Sequence, residues 1–284
     1  MISKKILQFF LATFLLGLNF VYAQLNTNQS KTLNEYLSKL PSEFVLAENK
    51  PQKYSVTSTM HNRNIQGNTV NNILITAEYT RGLEDSFMRW NNVRIGAAPD
   101  SATPASEGKL LECMEDFSYK MSGDIIKEEF YQKFPNDDTR HLIKTLIWDA
   151  ALFDPFFWDH LDKLELNKFY RVSDLEDFKV QMGNWGSIKM KNLKFKWTGI
   201  SKMNKETCAL IQYESFFNPV LSMTNTMTIQ GRSLYWGNFW ISLEDKQIEY
   251  FTLNEDVVME MTLTGNPEKR LLDIQREVIF EKID

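Results

Sequence analysis

Val257-Val258-Met259-Glu260-Met261-Thr262-Leu263-Thr264 is the stretch that decides the fold. Val257, Met259, Met261 and Leu263 alternate with Val258, Glu260, Thr262 and Thr264. That is the period of a strand with one face buried and the other in water. The pattern extends in both directions. Downstream, Gly265-Asn266-Pro267 turns the chain, and Ile274, Val278 and Phe280 mark a last strand. Upstream, residues 248–253 form a strand, with a turn expected at Asn254-Glu255-Asp256. Before it, Phe239, Ile241 and Leu243 lead into a turn at Glu244-Asp245-Lys246. Residues 223–235 make another strand, ending ahead of Gly237. Ala209, Ile211, Tyr213 and Phe217 share one strand face, and Leu193, Phe195 and Trp197 share another. Turn signals at such short, regular intervals indicate antiparallel pairing.

The earlier half repeats the pattern. Tyr54, Val56, Ser58 and Met60 line one strand; Ile73, Ile75, Ala77 and Tyr79 line a second after a turn at Gly67-Asn68. A third covers residues 86–95. Leu111, Cys113, Phe117, Tyr119 and Met121 alternate with polar neighbours, and residues 125–134 complete a hairpin after Ser122-Gly123-Asp124. Two segments are helical. Leu33, Tyr36, Leu37 and Leu40 give an amphipathic helix over 29–40, opened by Ser30 and stopped by Pro41. Asp137-Asp138-Thr139 opens a second, with Leu142, Ile143, Leu146, Ile147, Ala150 and Ala151 at helical spacing. It belongs to an insertion at about 138–164, kinked at Pro155 and apolar on more than one stripe. Roughly eleven strands must curl or split. The expected fold is mainly β (α+β): a large curved antiparallel sheet or open half-barrel, with helices covering its concave face.

The first residues concern location. Lys4 and Lys5 precede an apolar run over 6–20, and Val21-Tyr22-Ala23 offers a cleavage site. This reads as a signal peptide over 1–23, followed by a single β-rich domain over 24–284. An exported protein, periplasmic or extracellular, is expected. No cysteine follows the apolar run, and no second stretch approaches a spanning helix, so no transmembrane segment is expected once the leader is removed. The net charge is −5, and more acidic without Lys4 and Lys5. With no basic cluster, nucleic acid is excluded as a partner. The stretch 97–108 reads as a surface loop, and its Asp100-Ser101-Ala102 fits a short glycan-acceptor pattern.

Twenty Phe, ten Tyr, seven Trp and twelve Met against twelve Gly give bulky, adaptable apolar surface. The same residues can fill a core or line a pocket. Leu142, Leu146, Phe153, Phe156, Phe157 and Trp158 form a lid-like cluster, joined by Trp148. Phe195, Trp197, Met259 and Met261 are the strand residues expected beneath it. The organisation resembles the lipoprotein-carrier (LolA/LppX-like) half-barrel proteins. The residues that carry the resemblance are the helix 30–40, the insertion 138–164 and the meander 231–263. The resemblance implies a hydrophobic cavity for acyl chains between sheet and helices.

Signals for other chemistry are sparse. His61, His141 and His160 make no metal-ligand spacing, so no metal or other cofactor is expected. His160 stands near Asp149, Asp154, Asp159 and Asp162, which fit helix ends and caps as well as an acid–base cluster. There is no Gly-x-Ser-x-Gly elbow and no phosphate loop. Trp185, Trp197, Trp236 and Trp240 suit a β-rich core better than sugar stacking. Strand parity puts Cys113 and Cys208 on faces that do not favour a bridge. The expected role is therefore binding or carriage of a lipid or acyl chain rather than catalysis. The alternatives are an interaction module partnered by an envelope protein, with no small ligand, and then a hydrolase.

Overall fold

The computed structural model describes residues 50–64, 66–98, 108–151, 160–173, 179–181, 187–223 and 227–283, all within the compact unit Glu43–Asp284. The leader, the 29–40 helix, the glycan-acceptor triplet and Trp185 lie outside them. In chain order the elements are β1 (Gln52–Asn64), β2 (Thr69–Arg81), β3 (Phe87–Ala98), β4 (Lys109–Leu110) and β5 (Phe117–Lys120). After them come α1 (Asp137–Ala151), β6 (Phe169–Arg171), β7 (Lys179–Gln181), β8 (Ser187–Lys189) and β9 (Lys194–Met203). Four long strands finish the chain: β10 (Glu206–Met223), β11 (Met227–Ser242), β12 (Ile248–Leu263) and β13 (Asn266–Lys282).

The fold is mainly β, one large curved antiparallel sheet that does not close into a barrel. The strand order is β4-β3-β2-β1-β13-β12-β11-β10-β8-β7. β5 pairs with β3, and β9 bridges β10 to β6. The first and last long strands, β1 and β13, meet in the middle, which ties the two halves of the chain together.

Side chains alternate between an inner face, which meets α1, and an outer face. Register aligns the inner residues in rows across the strands. One row reads Ala77, Val56, Phe280, Phe251, Phe239, Ile211 and Trp197. The next reads Ile75, Ser58, Val278, Leu253, Gly237, Tyr213 and Phe195. Rings from neighbouring strands pack directly: Phe239 lies 4.5 Å from Phe251, Phe251 lies 5.7 Å from Phe280, and Tyr79 lies 4.8 Å from Trp90. Such pairs are the unit from which an antiparallel sheet draws its stability.

Five sequence expectations need correction. β11 runs unbroken through Gly237, and β12 runs unbroken through Asn254-Glu255-Asp256, where turns were expected. In both places a tertiary neighbour overrides a local turn signal. Residues 125–134 form two 3-10 turns, Gly123–Ile126 and Glu128–Tyr131, instead of a hairpin strand. The Ile125 carbonyl there accepts from the Tyr131 hydroxyl at 2.7 Å and from Trp148 Nε1 of α1 at 2.9 Å, so the segment folds onto the helix. Cys113 sits in a 3-10 turn, Glu112–Met114, not on a strand; both it and Cys208 are free thiols. Finally, β10 has a bulge between Ser215 and Asn218 that turns Phe217 to the exterior, off the Tyr213 face. Asn218 secures it: its Nδ2 donates to the Ser215 carbonyl, and its Oδ1 accepts from the Lys191 amide and the Ser215 hydroxyl. Below the bulge β10 pairs with β9, above it with β8.

Gly237 is fixed by close approach. A Cβ there would meet the Thr252 carbonyl oxygen at 1.9 Å and the Tyr213 ring at 2.7 Å. Tyr213 itself donates to that carbonyl at 3.1 Å and stacks on Phe251. Gly237→Ala is therefore expected to destabilise the fold by about 1–3 kcal/mol, the usual cost of overpacking. Chemical denaturation with an unchanged midpoint would contradict this packing.

Candidate functional site

The third inner row interrupts the apolar field. It reads Ile73, Met60, Arg276, Glu255, Tyr235 and Ser215. Arg276 stands at core parity between Ile274 and Val278, and Glu255 between Leu253 and Val257. Both are buried. Arg276 Nε donates to Glu255 Oε2 at 2.8 Å, and Nη2 approaches the same oxygen at 2.7 Å. Nη1 donates to Asp149 Oδ2, a buried carboxylate in the last turn of α1. Tyr235 hydrogen-bonds to Glu255. One guanidinium thus joins the helix to two central strands. Two carboxylates this deep are tolerable only with that cation between them.

The electrostatics follow from burial. Desolvation pushes Asp149 up to about 6, against the opposing pull of Arg276. The two carboxylates hold the Arg276 guanidinium firmly charged. Burial also pushes the phenols of Tyr213 and Tyr235 up, so both are neutral hydrogen-bonding groups here.

Other contacts seat α1. Buried Lys144 donates to Glu128 Oε2 at 2.6 Å, and its ammonium lies over the rings of Tyr131 and Trp148. The aromatic end of the inner face carries a second partly buried ion pair, Lys282 with Glu249 at 2.6 Å.

Past Arg276, toward the β10–β11 and β12–β13 turns, the inner face carries an apolar cluster, in register with Asn62, Asn71, Ser233 and Asn218. Val220, Ile229, Val257 and Met259 form a buried cluster, packed by half-buried Met227, Met261, Leu272 and Ile274. The charged row thus separates an aromatic field from a methionine-rich one.

The expected site residues divide across this boundary. Phe195 and Trp197 are buried in the aromatic field. Met259 and Met261 belong to the methionine field. Six residues of β12, about 20 Å of strand, separate the Phe195 row from Met259. All four share the inner face, but they do not line a single spot. Leu146 is buried in α1, and Leu142 is half-buried. Phe153, Phe156, Phe157 and Trp158 lie outside the described residues, as do Asp154 and Asp159. Asp149, placed by its sequence with His160, is bound to Arg276 instead. His160 is buried with Nδ1 at 3.3 Å from Lys163 Nζ. Trp236 is on the outer face, and Trp240 packs on Tyr250 at 5.3 Å. Among the described residues, no group of three His, Cys, Asp or Glu side chains is placed to hold a metal, and no helix is long and apolar enough to cross a membrane.

Sequence reading missed Arg276 and Glu255 as a pair. The available signal was a charge at apolar parity in each strand. It also missed Asp256 and Asp273, neighbouring carboxyls on the outer face beside Arg63 and Arg232. Burial and the Asp273 carboxyl push Asp256 up, against the two arginines.

No protein-family model and no curated protein matches the chain. Among solved structures, one described as lipid–protein interactions in lipovitellin is similar over 85% of this chain at 11% identity, with a TM-score of 0.44. This chain spans 26% of that one.

Asp149 sets a pH test. Its ordinary value is 3.8, and the fold raises it to about 6. The group therefore contributes stability that is complete below its unfolded value and lost as pH rises through about 6. Other carboxylates, such as Glu78 and Glu260, are lowered and act in the opposite sense, so the difference from a variant is the measure. Unfolding free energies of wild type and Asp149→Asn should diverge between about pH 4 and about pH 7, wild type losing ground as pH rises. A flat difference would contradict the burial argument.

Proposed function

We propose that the protein is an exported binder or carrier of an apolar ligand, a lipid or acyl chain, held against the inner face of its sheet. The observation that carries this reading is the methionine field beyond Arg276. Half-buried Met227, Met261, Leu272 and Ile274 surround a buried apolar floor on the face that α1 meets. Methionine side chains are flexible and polarisable, so they adapt to chains of varied shape. The driving force is apolar area removed from water, about 25 cal/mol per Å².

The charged row gives the reading a physical logic. An apolar ligand does not displace a satisfied ion triad, so the row limits how far a chain penetrates toward the aromatic core. In this reading the aromatic field, with Phe195 and Trp197, serves stability. Met259 and Met261 serve the ligand. Phe153, Phe156, Phe157 and Trp158, which follow α1 in sequence, are the proposed lid. The compartment suggested by residues 1–23 is part of the same proposal.

Uptake of a fluorescent fatty acid from solution tests it. The wild-type chain is expected to take up the probe saturably. Met227→Glu with Met261→Glu should lower affinity by about tenfold, with only a small change in thermal midpoint, because both side chains are half-buried. No saturable uptake by the wild type, or equal uptake by the variant, would overturn the reading.

A further inference from the structure

Lys133 lies in the turn that follows the 3-10 segment Glu128–Tyr131, closed by the Phe134 amide donating to the Tyr131 carbonyl at 3.0 Å. Its ammonium stands 4.5 Å from the centroid of the Phe117 ring, 4.5 Å from that of Phe130 and 5.5 Å from that of Phe134. Phe130 and Phe134 each meet the Phe117 ring at close to a right angle, 72° and 71°. Three rings thus converge on one cation.

The walls are held firmly, and the occupant is a tethered chain end. Phe117 belongs to β5 and stacks on Tyr119 at 5.7 Å. Phe134 is buried, and its carbonyl accepts from Arg140 Nε of α1 at 3.0 Å. Phe130 packs at 5.0 Å on the fully buried Tyr131. Lys133, by contrast, is exposed and rides on a flexible four-carbon stem. Among the described residues no carboxylate pairs with it, and partial burial holds its ammonium below the ordinary lysine range. The rings attract the charge but offer no strong acceptor to its three N–H donors. A cation without N–H groups avoids that loss. The three rings therefore suit a quaternary ammonium better than the lysine they hold.

We infer that Phe117, Phe130 and Phe134 form a binding site for a quaternary ammonium group, with Lys133 as a tethered stand-in that swings into water when the ligand enters. Each ring contributes cation–π attraction, strongest where water is excluded. Lys133 competes for the same place, so it lowers the apparent affinity by the fraction of molecules in which it is seated. Two sources carry this chemistry: a free solute such as choline, and the headgroup of phosphatidylcholine. The site shares no residue with the methionine field and stands whether or not that field takes a lipid.

The experiment is calorimetric titration of the full chain with choline and with its uncharged tert-butyl isostere. Choline is expected to bind saturably and the isostere not to bind. Lys133→Ala, at an exposed position, should tighten choline by about tenfold because it vacates the site. Adding Phe130→Ala to that variant should weaken choline by about tenfold again. Phe169→Ala, exposed on β6, should change nothing. Circular dichroism checks the folding of each variant, and Phe130→Leu, which keeps apolar volume and removes the ring, replaces Phe130→Ala where that chain unfolds. Short-chain phosphatidylcholine, titrated as monomer, separates the sources. Binding tighter than choline that the Phe130 variant removes supports a lipid headgroup; binding no tighter than choline supports a free solute. Absence of choline binding to both wild type and Lys133→Ala overturns the proposal. So does an isostere that binds as tightly as choline, or a Lys133→Ala chain that binds choline no better than wild type.

Discussion

The guanidinium of Arg276 is the constraint on which the rest of the arrangement depends. It stands on the inner face between Val278 and Ile274 of its own strand and beside Leu253 and Val257 of the next, and it is charged. Its two partners come from different elements, Glu255 from β12 and Asp149 from α1. Burying a charge without partners costs several kcal/mol, so the sheet folds stably only with the helix delivering its carboxylate to that point. The triad thus sets where the last turn of α1 sits on the sheet.

The triad also divides the molecule by role. On the aromatic side, rings from β1, β2, β3, β11, β12 and β13 interlock, and Gly237 makes room for Tyr213. This is rigid, close-packed core. On the other side the face is built from aliphatic and methionine side chains, several only half-buried. In the proposed function, cohesion and recognition fall to opposite ends of the same strands.

Much of the fold was legible in the sequence, because period two survives wherever one face is buried. The inner positions Tyr54, Val56, Ile75, Ala77, Ile211, Val257, Met259, Val278 and Phe280 follow from alternation, and α1 follows from helical spacing. The failures share one cause. Asn254-Glu255-Asp256 has the composition of a turn, yet Glu255 is an interior strand residue because Arg276 neutralises it twenty-one positions away. Gly237 reads as a breaker, yet it marks the close approach of Tyr213. Phe217 reads as core, yet a bulge held by Asn218 ejects it. Long-range partners decide these positions, and local pattern does not encode them. For the same reason Phe195 and Trp197 were grouped with Met259 and Met261: parity shows that residues share a face, not how far apart on it they lie.

The most direct measurement of the central claim is native mass spectrometry of the protein purified from its own cells, followed by solvent extraction and lipid analysis. The account predicts a stoichiometric apolar ligand that departs on extraction, leaving the folded apo chain. A clean apo mass from that preparation, with no adduct after incubation with a lipid panel, would contradict it and leave the methionine field as ordinary core.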